Sequence, residues 1–179
     1  MERARKHEEK EAPTFTIQET YAYTEDYEEL PQKLFALDKF YILKKFDGRE
    51  NELEFQKYLE SKQKKVEWWF KNGNSGKDFF SIRYHNTSTN SDALFYPDWI
   101  VRLKDGKIAI FDTKKGNTAI NTEGRAEALA KKLKQLGKTY VGGIAVFENG
   151  VWYYNCSENY AYAPGKLGKN WMLLENLFE

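Results

Sequence analysis

The chain has 179 residues, 41% hydrophobic and 31% charged, with 28 Lys and Arg against 27 Asp and Glu and a formal net charge of +1. That length supports one domain plus an appendage and buries a core without staples, while the near-zero charge lacks the strongly basic balance of a dedicated nucleic-acid-binding domain. A single cysteine, Cys156, excludes an internal disulfide, His7 and His85 are too few for a structural zinc site, and no apolar run reaches the ~18 residues that span a bilayer, so a cytoplasmic protein with no membrane partner is expected.

Residues 1–45 read as an N-terminal arm or interdomain connector. Within it 1–13 lack apolar periodicity, 14–17 form a short strand-like run, and an acidic, aromatic stretch ends at 34–37. Lys and Arg concentrate further on, in 57–83 and 102–138, giving a more basic body behind an acidic arm. The second unit, 46–179, opens with a helix over about 51–62, with Asn51 as N-cap and Leu53, Phe55, Tyr58 and Leu59 on its apolar side. Residues 66–71 read as a strand and 79–84 as its antiparallel return. Next, 93–103 and 107–114 form a hairpin through Asp105-Gly106. A second helix spans about 122–136, with Ala126, Leu129, Ala130, Leu133 and Leu136 on one stripe and Gly137 as its stop. A last hairpin, 140–147 with 151–155, turns at Asn149-Gly150, and the tail 171–178 suits helix or strand. Helix, strands, helix, strands is a mixed α/β layer order.

The chemistry lies in 95–116, FYPDWIVRLKDGKIAIFDTKKG. Asp98, Asp112 and Lys114 sit on otherwise apolar strands, where a charge requires a partner or a metal. If Leu103 faces Lys107 around a three-residue loop, with Gly106 at positive φ, Asp98 falls opposite Asp112 and both share a face with Ile100, Ile108, Ile110 and Lys114. A two-residue loop instead puts the aspartates on opposite faces, as structural ion-pair partners of Lys114 or Arg102. Two close carboxylates repel in a poorly hydrated site, and a shared proton or a divalent cation relieves this. Oxygen ligands without His or Cys suit Mg²⁺, with Mn²⁺ as a substitute. A lysine two residues past the second aspartate stands where it orients water and neutralises phosphate, as in metal-assisted phosphodiester hydrolysis.

Pro97-Asp98 followed by Asp112-Thr113-Lys114, in this element order, resembles the PD-(D/E)XK nuclease superfamily. More narrowly, the E-x-x-F-x-x-x-L helix at 52–59, the tryptophan-rich strand, YPDW at 96–99 and DTKKG at 112–116 resemble the nuclease region behind the helicase motor of type III restriction enzyme subunits. The resemblance covers 46–147. It implies a restriction-endonuclease-like core, a central mixed β-sheet flanked by helices, and a Mg²⁺-dependent DNA endonuclease that leaves 5′-phosphates. Carried over to this chain, it makes Asp98, Asp112, the Thr113 carbonyl and Glu52 metal-binding, with Lys114, Asp98, Asp112 and Glu52 catalytic. Helical spacing favours Glu52 over Glu54, since Glu52, Phe55 and Leu59 share one face. Many members carry Glu where this chain has Asp112, a shorter arm.

The implied partners are DNA and a helicase or translocase module in the same or a partner chain. Cutting both strands calls for two active sites, as in a dimer. No G-x-x-x-x-G-K-[ST] loop occurs, so the chain is not itself the motor. Lys115, Arg125 and Lys131 are candidate contacts to the DNA backbone, although lysines late in a helix also complement its dipole. His85 suits phosphate or a plain surface loop; Trp68, Trp69 and Trp99 suit base stacking or the core; Cys156 has no assigned role. The alternative to a nuclease is a catalytically weak module of the same fold that grips DNA or a protein.

Overall fold

The computed structural model describes residues 28–30, 34–36, 50–75 and 79–179. The strand expected over 14–17 and most of the arm lie outside the described residues; two short strands, β1 (Glu28–Leu30) and β2 (Leu34–Ala36), pair antiparallel. The body opens with α1 (Glu50–Ser61) and β3 (Val66–Lys71), followed by a two-stranded arm of β4 (Ile82–Asn86) and β5 (Ser91–Phe95). It continues through β6 (Trp99–Leu103), β7 (Ile108–Lys114), α2 (Asn117–Ile120) and α3 (Glu123–Leu136). Strands β8 (Tyr140–Glu148), β9 (Val151–Asn155) and β10 (Met172–Leu173) precede a closing 3₁₀ turn, Leu174–Leu177.

Among the described residues the main sheet has six strands in the order β10-β9-β8-β7-β6-β3. Only its β7–β8 neighbours run parallel, so the sheet is mixed, and helices flank it. The α/β class is thus as expected. No helix among the described residues is long and apolar enough to cross a membrane.

The β6–β7 hairpin takes the three-residue form. Gly106 adopts φ +91°, its N–H donates to the Leu103 carbonyl at 3.0 Å, and the Leu103 N–H donates to the Lys107 carbonyl at 2.8 Å. Ile100 therefore faces Ile110, and Trp99 faces Phe111. Both strands are apolar on both sides because both faces are covered.

One expected pairing is corrected. Residues 79–84 do not return beside 66–71: β3 lies against β6, while β4 pairs with β5 as a separate ribbon. The expected run 93–103 breaks because Pro97 offers no N–H to a ladder. The chain leaves the ribbon at Phe95 and joins the main sheet at Trp99. The expected ambiguity at the tail resolves into both forms, a two-residue strand and a 3₁₀ turn.

Phe55 of α1 fixes the helix to the sheet, with ring centroids 5.7 Å from Trp99, 5.4 Å from Phe111 and 4.9 Å from Trp152. The side of the sheet bearing Trp99 and Phe111 is therefore the α1 side. Leu129 and Leu133 of α3 are buried, as the stripe predicts. Trp171, Leu174 and Phe178 bring the tail back into the core, and Glu175 accepts hydrogen bonds from Tyr58 Oη of α1 (3.0 Å) and from Lys62 Nζ just past its end (2.7 Å).

Candidate active site

The candidate residues meet where β6 begins and β7 ends. Asp98 stands one residue outside the β6–β7 ladder, so its direction is set by its partners and not by the pleat. Its Oδ2 accepts the Thr113 N–H at 2.8 Å and the Thr113 hydroxyl at 2.7 Å. Its main chain is held by Asn72, whose N–H donates to the Asp98 carbonyl at 2.8 Å. The Asn72 side chain, 2% exposed, donates to the carbonyls of Pro97 and Phe80, both at 2.8 Å, and accepts the Phe80 N–H at 3.1 Å. One amide thus fixes the strand break that presents Asp98.

Lys71, the last residue of β3, supplies a partner that the motif does not contain. Its Nζ lies 3.1 Å from Asp98 Oδ1 and 3.1 Å from Glu52 Oε2, and 5.1 Å from the centroid of the Trp99 ring. Its side chain is only 5% exposed. Glu52 reaches it from the first turn of α1, on the face that buries Phe55 and Leu59, as the helical spacing predicts. Lys71 was not legible as a site residue, because a lysine ending an apolar strand ordinarily marks the exit to solvent. Asn72 carried even less of a sign, since its partners come from the distant residues 80 and 97.

Asp112, 1% exposed, and Lys114 form the second half of the site. Their pleat positions are alternate, and the Lys114 ammonium rests against Asp112 Oδ2, which accepts no well-formed hydrogen bond. The same ammonium lies 3.4 Å from the Thr113 carbonyl oxygen. Lys114 therefore sits between the two oxygens of β7 that the resemblance assigns to a metal.

Electrostatics separates the two aspartates. Burial alone would raise the Asp98 carboxyl, but the ammoniums of Lys71 and Lys114 and the two Thr113 hydrogen bonds outweigh it and hold Asp98 well below the usual carboxylate range. For Asp112 burial wins: aided by the negative charge of Asp98, and only partly offset by Lys114, it pushes the carboxyl up to about 7. Burial opposes charge on Lys71 and Lys114 too, yet the neighbouring carboxylates keep both firmly in the ammonium form.

Lys114, with 13% of its side chain exposed, opens into a cavity of about 550 Å³ bounded by Glu52, Asn117, Asn121, Arg125 and the β4–β5 arm. Of the candidate DNA contacts, Arg125 lines this cavity, its guanidinium 5.5 Å from the Tyr84 ring centroid and its Nε donating to Tyr84 Oη at 3.3 Å. Lys131 lines an adjoining cavity of about 880 Å³ between the arm and α3. Lys115 is exposed beside α2, its N–H bonded to Thr118 Oγ1 at 3.1 Å. Trp68, Trp69 and Trp99 are core residues, at most 4% exposed, and are out of reach of a base. His85 pairs across the arm with Asp92, Nδ1 to Oδ1 3.3 Å, and Cys156 is exposed and free. Compared with models of known protein families, with curated proteins and with solved structures, the chain finds no match.

Proposed function

We propose that this chain is a Mg²⁺-dependent DNA endonuclease domain with a restriction-endonuclease-like core, delivered to DNA by a helicase or translocase module. The observation that supports it most is the buried Asp112, whose Oδ2 is matched by the ammonium of Lys114 beside the Thr113 carbonyl and by no other partner among the described residues. A buried carboxylate is costly for a chain to keep unless a cation stands beside it, a place that Lys114 holds here and a metal ion would take over. The donor set is all oxygen, which suits Mg²⁺ or Mn²⁺. Among the described residues no three His, Cys, Asp or Glu side chains converge on one point, so the ion would be held by Asp112, Asp98 and the Thr113 carbonyl, with water completing the shell.

The bound ion would polarise the scissile phosphate and acidify a water. Lys114, as an ammonium, donates hydrogen bonds: released from Asp112 into the cavity, it orients the attacking water and balances charge on the phosphate oxygens. Thr113 keeps Asp98 ionised and aligned through two hydrogen bonds. Arg125, at the cavity wall, positions the DNA backbone without reading sequence. Attack in line with the leaving 3′-oxygen would leave a 5′-phosphate. With a net charge of +1 the chain binds DNA weakly alone, hence the attached motor.

Nicking and linearisation of supercoiled plasmid by the chain with Mg²⁺, Mn²⁺ or EDTA tests this. Metal-dependent cutting that disappears in Asp112→Ala and in Lys114→Ala is the expected result. Absence of cutting even when a translocating partner is supplied favours the second reading, a nuclease-fold module that binds DNA or protein. One observation favours that alternative: Glu52, Asp98 and Asp112 each already face an ammonium.

A further inference from the structure

We propose that Lys71 is a permanent counter-cation of this site, limiting it to one divalent metal ion and keeping Glu52 out of the metal's ligand set. The inference deepens the nuclease reading and rests on it. Two-metal hydrolases place their ions roughly 3.5–4 Å apart, each bridged by carboxylates. Here Glu52 Oε2 and Asp98 Oδ1, the oxygens that would bind a second ion, are both 3.1 Å from Lys71 Nζ.

The two lysines differ in what they can vacate. Lys114 faces a cavity into which its ammonium can swing when Asp112 takes a metal. Lys71 is 5% exposed, lies over the indole of Trp99, which is itself 1% exposed, and does not line the cavity that Lys114 faces. Charge balance agrees. Three carboxylates (Glu52, Asp98, Asp112) and two ammoniums (Lys71, Lys114) leave one negative charge; one divalent ion brings the cluster to +1, matched to an incoming phosphodiester, whereas two bring it to +3. Lys71 is thus a positioning residue: it holds Asp98 from the side opposite Thr113 and uses Glu52 to stay in place.

The test counts bound Mn²⁺ by electron paramagnetic resonance of the free ion, without DNA. Wild type is expected to bind one ion per chain. Glu52→Gln should still bind one ion per chain, with at most the roughly 10–100-fold weakening of an outer-shell change, whereas loss of a true ligand should abolish stoichiometric binding. Lys71→Met should gain a second ion, held by the freed Glu52 and Asp98, and Lys71→Arg should keep one. Two ions on wild type, loss of stoichiometric binding in Glu52→Gln, or a folded Lys71→Met that still binds one ion overturns the proposal. If Lys71→Met does not fold, the wild-type count and Glu52→Gln decide. No ion on wild type overturns the metal site itself, an outcome separate from the two-ion result, which overturns only the role of Lys71.

Discussion

Asn72 satisfies three buried main-chain groups with a single side chain. Asn72→Ala strands them away from water, at a cost on the order of 3 kcal/mol; a urea midpoint lowered at unchanged m-value is the expected outcome. Asp112 makes a second residue-scale prediction. With its carboxyl near 7 in the metal-free protein, it must release a proton before it takes a metal. Mn²⁺ affinity should therefore fall about tenfold per pH unit below 7 and level off above it. Calorimetric titrations between pH 5.5 and 8 check this, and a flat profile would mean that Asp112 is not a ligand. For the metal-free fold the two aspartates act in opposite senses. Asp98, held low, contributes stability that begins to be lost as pH falls to the ordinary carboxylate range and goes on being lost toward its own lower value, whereas Asp112, held high, withdraws stability as pH rises from that range toward 7.

The elements differ in how much of them the sequence carries locally. Asp105-Gly106 and Asn149-Gly150 announce their hairpins because the positive φ that Gly106, Asn149 and Gly150 adopt is a local property of those residue types. Helix α3 is legible because its stripe of Ala and Leu needs no knowledge of the partner. The pairing of β3 is not legible, since neighbouring strands pair by default, whereas here the chain first forms the β4–β5 ribbon and, past Pro97, returns as β6 to lie against β3. Two glycines test this contrast between local and long-range demands. At Gly106, φ +91° with open space around a Cβ, alanine meets only backbone strain, about 1–2 kcal/mol. At Gly142, φ +117°, a Cβ would stand 2.0 Å from the Ile110 carbonyl oxygen of the adjacent strand. Gly142→Ala should therefore separate β8 from β7 and cost more than about 3 kcal/mol, or prevent folding. Comparison of the two variants by thermal melting gives the order; equal losses would contradict the close approach of β7 and β8.

For the whole molecule, the tail is a clasp. Leu174 and Phe178 fill the core, and Glu175 ties the 3₁₀ turn to α1, the helix that presents Glu52. Leu174→Ala should cost about 2–5 kcal/mol and raise hydrogen exchange in α1 more than in α3; uniform exchange would show that the tail does not brace that helix. The candidate site follows the same division between near and far. Asp112, Thr113 and Lys114 could be marked in advance because they lie on one strand of a hairpin whose register follows from its turn, and Asp98 because it directly precedes the other strand, although its direction is set by Thr113 and Lys71. Lys71 could not, because its significance arises only when β3, β6 and α1 come together.

The β4–β5 arm stands outside the six-stranded sheet, joined to the body by the packing of Tyr84 and Phe95 with Arg125 and by the close approach of His85 to Gly124, where a Cβ would lie 3.1 Å from the His85 carbonyl oxygen. The lysine–carboxylate cluster belongs to other elements. The arm's tip, residues 87–90, can therefore change in length and chemistry over evolutionary time without disturbing that cluster. A lineage carrying this fold could alter what its groove grips while the apparatus beneath stays as it is.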